Sequence, residues 1–220
     1  MTIVERPSPN QDSRGGVAID MLVLHYTGMA SAEAAVSRLT DPAAKVSAHY
    51  TVDEDGTIYA HVAEEQRAWH AGVSFWAGVT NINACSIGIE LVNPGHEFGY
   101  RAFPEAQIAA LIPLCQAIIA RHAIAPARVL GHSDVAPARK DDPGELFPWA
   151  RLAREGVGLW PVKSASTLGA EALLRFGYDP AAPLEKVIAA FQRHFRPGRV
   201  TGIWDGECAG LLAGLLAPKG

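Results

Sequence analysis

The chain of 220 residues is 49% hydrophobic and 19% charged, which fits one medium domain plus a small appendage and excludes wholesale disorder. A net charge of −4 argues against a nucleic-acid binder that works by neutralising phosphates. The longest uncharged apolar run, Ile108 to Ala120, holds Pro113 and Gln116 and falls short of the roughly 20 apolar residues of a membrane span. Residues 1–16 are polar, carry Glu5 and Asp12 and lack the apolar stretch of a signal peptide. The expected location is therefore cytoplasmic, or periplasmic if an export segment has been removed. Met21 to His25 reads as a buried strand between Gly15-Gly16 and Thr27-Gly28. Ser31 is the expected N-cap of a short helix that Asp41-Pro42 stops. Ala48 to Val52 and Thr57 to Val62 flank Asp53-Glu-Asp-Gly56, a hairpin signal in which Gly56 supplies positive φ.

Farther along, Cys85 to Val92 alternates, so Ile87, Ile89 and Leu91 should face a helical layer and Ser86, Gly88 and Glu90 the other side. Phe103 to Ala123 follows helical spacing, with Pro113 expected to kink it. Val129 to His132 reads as a short strand ending in a loop, and a helix is expected from about Pro148 to Glu155. After Trp160 the texture changes. Lys163 to Thr167 reads as a linker, followed by amphipathic segments over about 166–176, 184–195 and 205–216. The fold class is thus α/β, a central mixed β-sheet flanked by helices, with a small C-terminal three-helix domain; the domains are 1–162 and 163–220. Cys85, Cys115 and Cys208 form no CxxC pair and suggest buried packing, with neither a disulfide framework nor a Cys-rich zinc site.

Two histidines at strand ends, His25 and His132, and an acidic loop after the second carry the chemistry. Two imidazoles and a carboxylate suit a four-coordinate zinc that keeps one position for water. On chemistry alone Asp134, Asp141 and Asp142 are equally good third ligands, and Asp134 could instead bond backbone amides in its own loop. Glu90 could serve as general base toward a zinc water, and Lys140 could donate to a developing oxyanion.

Six ordered motifs sharpen this reading: Leu24-His-Tyr-Thr27, Val46-Ser-Ala-His-Tyr50, Ala68-Trp-His-Ala-Gly72, Ser86-Ile-Gly-Ile-Glu-Leu91, Gly131-His-Ser-Asp-Val-Ala-Pro137 and Arg139-Lys-Asp-Asp-Pro-Gly144. Over about residues 20–160 they resemble the zinc N-acetylmuramoyl-L-alanine amidases of the AmpD/AmiD type, relatives of phage T7 lysozyme and the animal peptidoglycan recognition proteins. The resemblance implies His25, His132 and Asp142 as zinc ligands, Glu90 as acid/base and Lys140 as the partner of the tetrahedral intermediate. It implies that Trp69 and His70 line the substrate groove, and it leaves Tyr50 as a substrate-site candidate at a position that some relatives use in catalysis and others do not. Asn83 either bonds the substrate peptide or caps a turn. The C-terminal stretch, with Leu174-Arg-Phe-Gly-Tyr178 and Ala190-Phe-Gln-Arg-His-Phe195, is similar to a small peptidoglycan-binding module, although Thr201 stands where that module commonly carries Asp.

The implied activity is hydrolysis of the amide between N-acetylmuramic acid, or its 1,6-anhydro form, and L-alanine of the stem peptide. Peptidoglycan fragments or polymer are the implied partners. The rival is a non-catalytic peptidoglycan recognition protein on the same fold. Such relatives lose a metal ligand, whereas all three ligand positions are filled here.

Overall fold

The computed structural model describes residues 3–217. Among them the strands are β1 (Ile3–Glu5), β2 (Gln11–Ser13), β3 (Met21–Tyr26), β4 (Tyr50–Val52), β5 (Ile58–Ala60), β6 (Gln66–Ala68), β7 (Ser86–Leu91) and β8 (Val129–Gly131). The helices are α1 (Ala32–Thr40), α2 (Ile82–Cys85), α3 (Gly95–Phe98), α4 (Glu105–His122), α5 (His132–Val135), α6 (Trp149–Arg154), α7 (Ala172–Phe176), α8 (Leu184–Phe195) and α9 (Gly206–Leu216).

Six strands form one mixed sheet in the order β1-β5-β4-β7-β3-β8, and β2 pairs with β6 in a separate antiparallel ribbon. Within the large sheet only β4 and β5 run antiparallel, as the hairpin around Gly56 (φ 90°) requires. The central strands β3 and β7 are parallel and covered on both faces, which explains why Met21-Leu-Val-Leu24 is apolar without alternation. Both N-terminal strands escape the sequence reading. Each has three residues on a sheet margin, too short and too polar to show a period.

Strand parity sorts the two faces. Leu22, Leu24, Ile87, Ile89 and Leu91 pack against Ile108, Leu111, Cys115 and Ile118 of α4, the helical layer expected for them. The helix continues through Pro113, where a kink is expected from sequence. Pro113 and Ala109, whose carbonyl loses its partner, both lie on the exposed side, so water can take over the missing bond.

The opposite face presents Met21, Val23, Ile82, Cys85 and Leu130. These share one core with Leu173, Phe191, Phe195, Cys208 and Leu212 of the three C-terminal helices and with Tyr178 of the turn after α7. Trp76 sits in this seam against Phe176 and Tyr178 and is 2% exposed, so it fills a core and offers no sugar platform. The connecting segment is held as well. A Cβ on Gly214 would lie 2.0 Å from the Val162 carbonyl oxygen and one on Gly210 would lie 2.6 Å from that of Ser164, so the chain runs flat along the glycine side of α9.

Candidate active site

β3 brings His25 to the sheet's second face, where its register partner across the parallel pair is Glu90 of β7. His132 opens α5 directly after β8, the strand on the other flank of β3. Asp142 comes from the following loop, whose carbonyl accepts from the Ser133 amide at 2.8 Å. The result is a tight cluster of buried donors. His25 Nδ1 lies 2.9 Å from His132 Nδ1, and each is 3.1 Å from Asp142 Oδ2.

The surrounding bonds decide which ring nitrogens carry protons. The Ser86 hydroxyl donates to the Ile82 carbonyl (2.7 Å), so its oxygen can only accept from His70 Nε2–H (3.1 Å). His70 Nδ1 is then unprotonated and accepts from His25 Nε2–H at 3.0 Å. On the other side His132 Nε2–H donates to the Ala71 carbonyl at 3.1 Å. Both Nδ1 atoms are therefore left with lone pairs, and these converge with a carboxylate oxygen. Such a donor set calls for a cation. The separations approach the ~3.3 Å edge expected of a tetrahedron with bonds of 2.0–2.1 Å.

Electrostatics agree with that reading. Burial chiefly, and then His132, pushes His25 down to about 4, although Asp142 opposes the shift. Burial and the neighbouring imidazoles hold His70 well below the ordinary histidine range. Burial works to raise Asp142, but His132 and His25 outweigh it and keep the carboxyl ionised. Burial and Arg14 likewise push His49 down to about 3. A histidine whose folded pKa is lowered stays neutral while the unfolded chain takes up protons. Stability of the metal-free protein is therefore expected to hold above pH 6.5 and to fall as pH drops toward 4 and 3. Each of the two imidazoles should add about 1.4 kcal/mol per pH unit to the slope inside that window. Urea unfolding at pH 7, 6 and 5 checks this, and a flat profile would contradict it.

His70 fits only because residue 88 is glycine. A Cβ there would lie 2.4 Å from the His70 ring. Gly88→Ala is expected to cost about 1–3 kcal/mol and, by displacing the ring that orients His25, to weaken metal binding about tenfold. Thermal unfolding and metal titration of the variant measure the two effects separately.

An open cleft of about 450 Å³ lies over the cluster, lined in part by His70, Glu90, His132, Lys140 and Asp142. Glu90 is half-buried, and its enclosed Oε2 lacks a hydrogen-bond partner. Burial first and the Asp142 charge second raise its pKa well above the ordinary carboxylate range, with Lys140 pulling the other way. A carboxyl whose proton affinity is raised in this way is suited to exchanging a proton with water and substrate.

Three of the expected substrate residues lie elsewhere. Tyr50 shares the parity of Val52, faces the α4 side and donates to Glu64 at 2.8 Å; the β4 residue opposite Glu90 is Thr51. Trp69 does not line the cleft, and its indole contributes to lowering the Asp12 pKa, beside Arg67. Asn83 accepts from the amides of His70 (3.1 Å) and Ala71 (2.8 Å), so it shapes the loop that carries His70 and stays out of the cleft. Arg14, which sequence reasoning missed, is a buried guanidinium donating to the carbonyls of Glu64, Asn83, Ala84 and Ser86. A lone arginine in a polar N-terminal segment gives no sign of that role.

Comparison with known proteins narrows what such a site belongs to. The sequence profile of the N-acetylmuramoyl-L-alanine amidase family matches residues 15–145. N-acetylmuramoyl-L-alanine amidase AmiD of Escherichia coli K12 is 42% identical, over 92% of this chain and 84% of its own length. The 1,6-anhydro-N-acetylmuramyl-L-alanine amidase AmpD of the same organism is 41% identical over 49% of this chain and 57% of its own. Among solved structures, the E. coli AmiD complex with anhydro-N-acetylmuramic acid-L-Ala-D-γ-Glu-L-Lys superposes with a TM-score of 0.81 at 40% identity, covering 93% of this chain and 90% of that one. AmpDh3 from Pseudomonas aeruginosa gives a TM-score of 0.82 at 36% identity over 90% and 91% of the two chains. A profile match over more than half of the chain, with near-full-length similarity to AmiD, shows that the chain belongs to the N-acetylmuramoyl-L-alanine amidase family.

Proposed function

We propose that the chain is a zinc-dependent N-acetylmuramoyl-L-alanine amidase whose ligands are His25, His132 and Asp142, with Glu90 as acid/base and Lys140 as oxyanion partner. The observation that carries this reading is the convergence of two imidazole lone pairs and a carboxylate oxygen beside Glu90, whose enclosed Oε2 is unpartnered, in an open cleft. The donor set fits zinc in type, number and spacing, and it leaves room for a fourth position. Zinc held there lowers the pKa of water at that position to about 7 and polarises the scissile carbonyl.

The protein's own groups do the rest. The His70–Ser86 chain and the Ala71 carbonyl fix the two ligand tautomers, as partners behind metal-bound histidines commonly do. Glu90 takes the proton of the attacking water and returns it to the alanine nitrogen as the lactyl–alanine amide breaks. The Lys140 ammonium, on the cleft wall and close enough to act on Glu90 and His25, stabilises the charge that develops on the carbonyl oxygen. The openness of the cleft suits a muropeptide or a glycan-linked stem peptide laid across it. Among the described residues no helix is long and apolar enough to cross a membrane.

The test joins metal analysis to product analysis. The purified chain should carry or take up one zinc. It should also release free stem peptide, seen by mass spectrometry, from anhydro-N-acetylmuramyl peptide or from intact peptidoglycan. A chain that binds these ligands but neither holds zinc nor releases peptide would be the recognition protein instead.

A further inference from the structure

We propose that the C-terminal helices position the metal-binding loop, with Tyr178 and His194 acting on His132 through Asp134. This rests on the zinc reading above. Asp134 stands two residues after His132 within α5 and is 1% exposed. A carboxylate so buried costs several kcal/mol unless its oxygens are bonded. Three donors meet that need, and two come from the C-terminal helices and the turn between them. Tyr178 O–H donates to Oδ1 at 2.7 Å, while His194 Nδ1–H and the Gly131 amide each donate to Oδ2 at 2.7 Å. The direction of each bond is fixed because an ionised carboxylate can only accept.

Both donors are themselves held rigidly. The His194 ring stacks on Trp149 with centroids 3.8 Å apart and planes 20° from parallel. Tyr178 is packed against Trp76 at 5.0 Å in the seam between the sheet and the C-terminal helices. From Asp134 the restraint runs to both sides of the metal cluster. The Ser133 amide donates to the Asp142 carbonyl, which ties the His132 turn to the Asp142 loop. A Cβ on Gly131 would meet Pro143 Cδ at 2.8 Å, so the strand before His132 and the residue after Asp142 are in close contact. On the outer side Arg193 pairs with Asp141 at 2.7 Å, next to Asp142. The segment that resembles a wall-binding module thus reaches the ligand loop at two points. Neither Tyr178 nor His194 lines the cleft, so both are positioning residues.

The experiment measures zinc affinity by chelator competition, together with kcat, KM and the unfolding temperature of the metal-free form. Tyr178→Phe removes one oxygen, and His194→Leu removes the donor while keeping bulk. Each should weaken zinc binding about tenfold or more and lower kcat at saturating zinc, with KM unchanged. His194→Asn places an N–H where the ring Nδ1–H was and should return zinc affinity to within about twofold of the unsubstituted chain. A merely structural role would lower the unfolding temperature of the metal-free form without moving zinc affinity. The proposal is overturned if Tyr178→Phe and His194→Leu, folded by circular dichroism, bind zinc within twofold of the unsubstituted chain. It is equally overturned if His194→Asn does no better than His194→Leu. Should the His194 variants fail to fold, Tyr178→Phe decides alone by the same readouts. An unsubstituted chain that takes up no zinc would instead sink the zinc reading, an outcome seen before any variant is made.

Discussion

Glu90→Gln is expected to lower kcat by about 10²–10⁴-fold while the zinc content stays at one per chain. Glutamine keeps the shape of the side chain and its place on β7, so the cleft and the neighbouring His25 should be undisturbed. What is lost is the ability to accept and return a proton. A second outcome separates a reacting carboxyl from a structural one. One oxygen of Glu90 is enclosed and lacks a partner, so the native protein bears a cost of desolvating it. Removing the ionisable group relieves that cost, and the variant should unfold at an equal or higher temperature. Lower activity with equal or greater stability is the signature expected of a site kept for function. A variant that turns over as fast as the unsubstituted chain would end the acid/base assignment. One that loses zinc would show that Glu90 belongs to the metal's support.

How much of this was legible beforehand depended on whether a feature is periodic. The central strands were readable because Met21 to Leu24 and Ile87 to Leu91 must bury apolar side chains on known faces, and that demand is written into their order. Parity also put Glu90 on the face away from the helical layer, which is where His25 lies. The same parity argument would have excluded Tyr50. In Ala48 to Val52 it shares a face with Val52, and Val52 faces α4. A motif match transfers a residue type but not the direction in which the side chain points. Trp69, taken from such a match, points away from the cleft that its neighbour His70 reaches, and Asn83, a candidate by position alone, bonds the loop that carries His70. Features made by contacts remote in sequence left no trace. The relay through Ser86, His70 and His25 joins three elements, and Arg14 spans from β2 to α2 and β7. None of these residues is unusual where it stands. Their roles come from the tertiary structure.

Asp142→Ala is expected to abolish the stabilisation of the protein by zinc. At free zinc a thousandfold above its dissociation constant, binding adds about 4 kcal/mol, or roughly 8–16 °C in Tm for a chain of this size. Losing one of three ligands should move the variant's dissociation constant above the same zinc concentration, so its Tm rises by less than about 3 °C. The comparison with the other two acidic residues of the loop makes the result specific. Asp141 is exposed and held by Arg193, so Asp141→Ala should keep the full zinc-dependent rise. Asp134 is buried, its oxygens accept from Tyr178, His194 and the Gly131 amide, and it stands outside the group that His25, His132 and Asp142 form. Asp134→Asn should therefore reduce the rise in part, through the position of His132, without removing it. Three aspartates within nine residues were chemically equivalent on paper. Differential scanning calorimetry with and without zinc on these three variants should rank them Asp142, Asp134, Asp141 in order of effect. A full zinc response in Asp142→Ala would mean that the carboxylate 3.1 Å from both imidazoles is not the ligand.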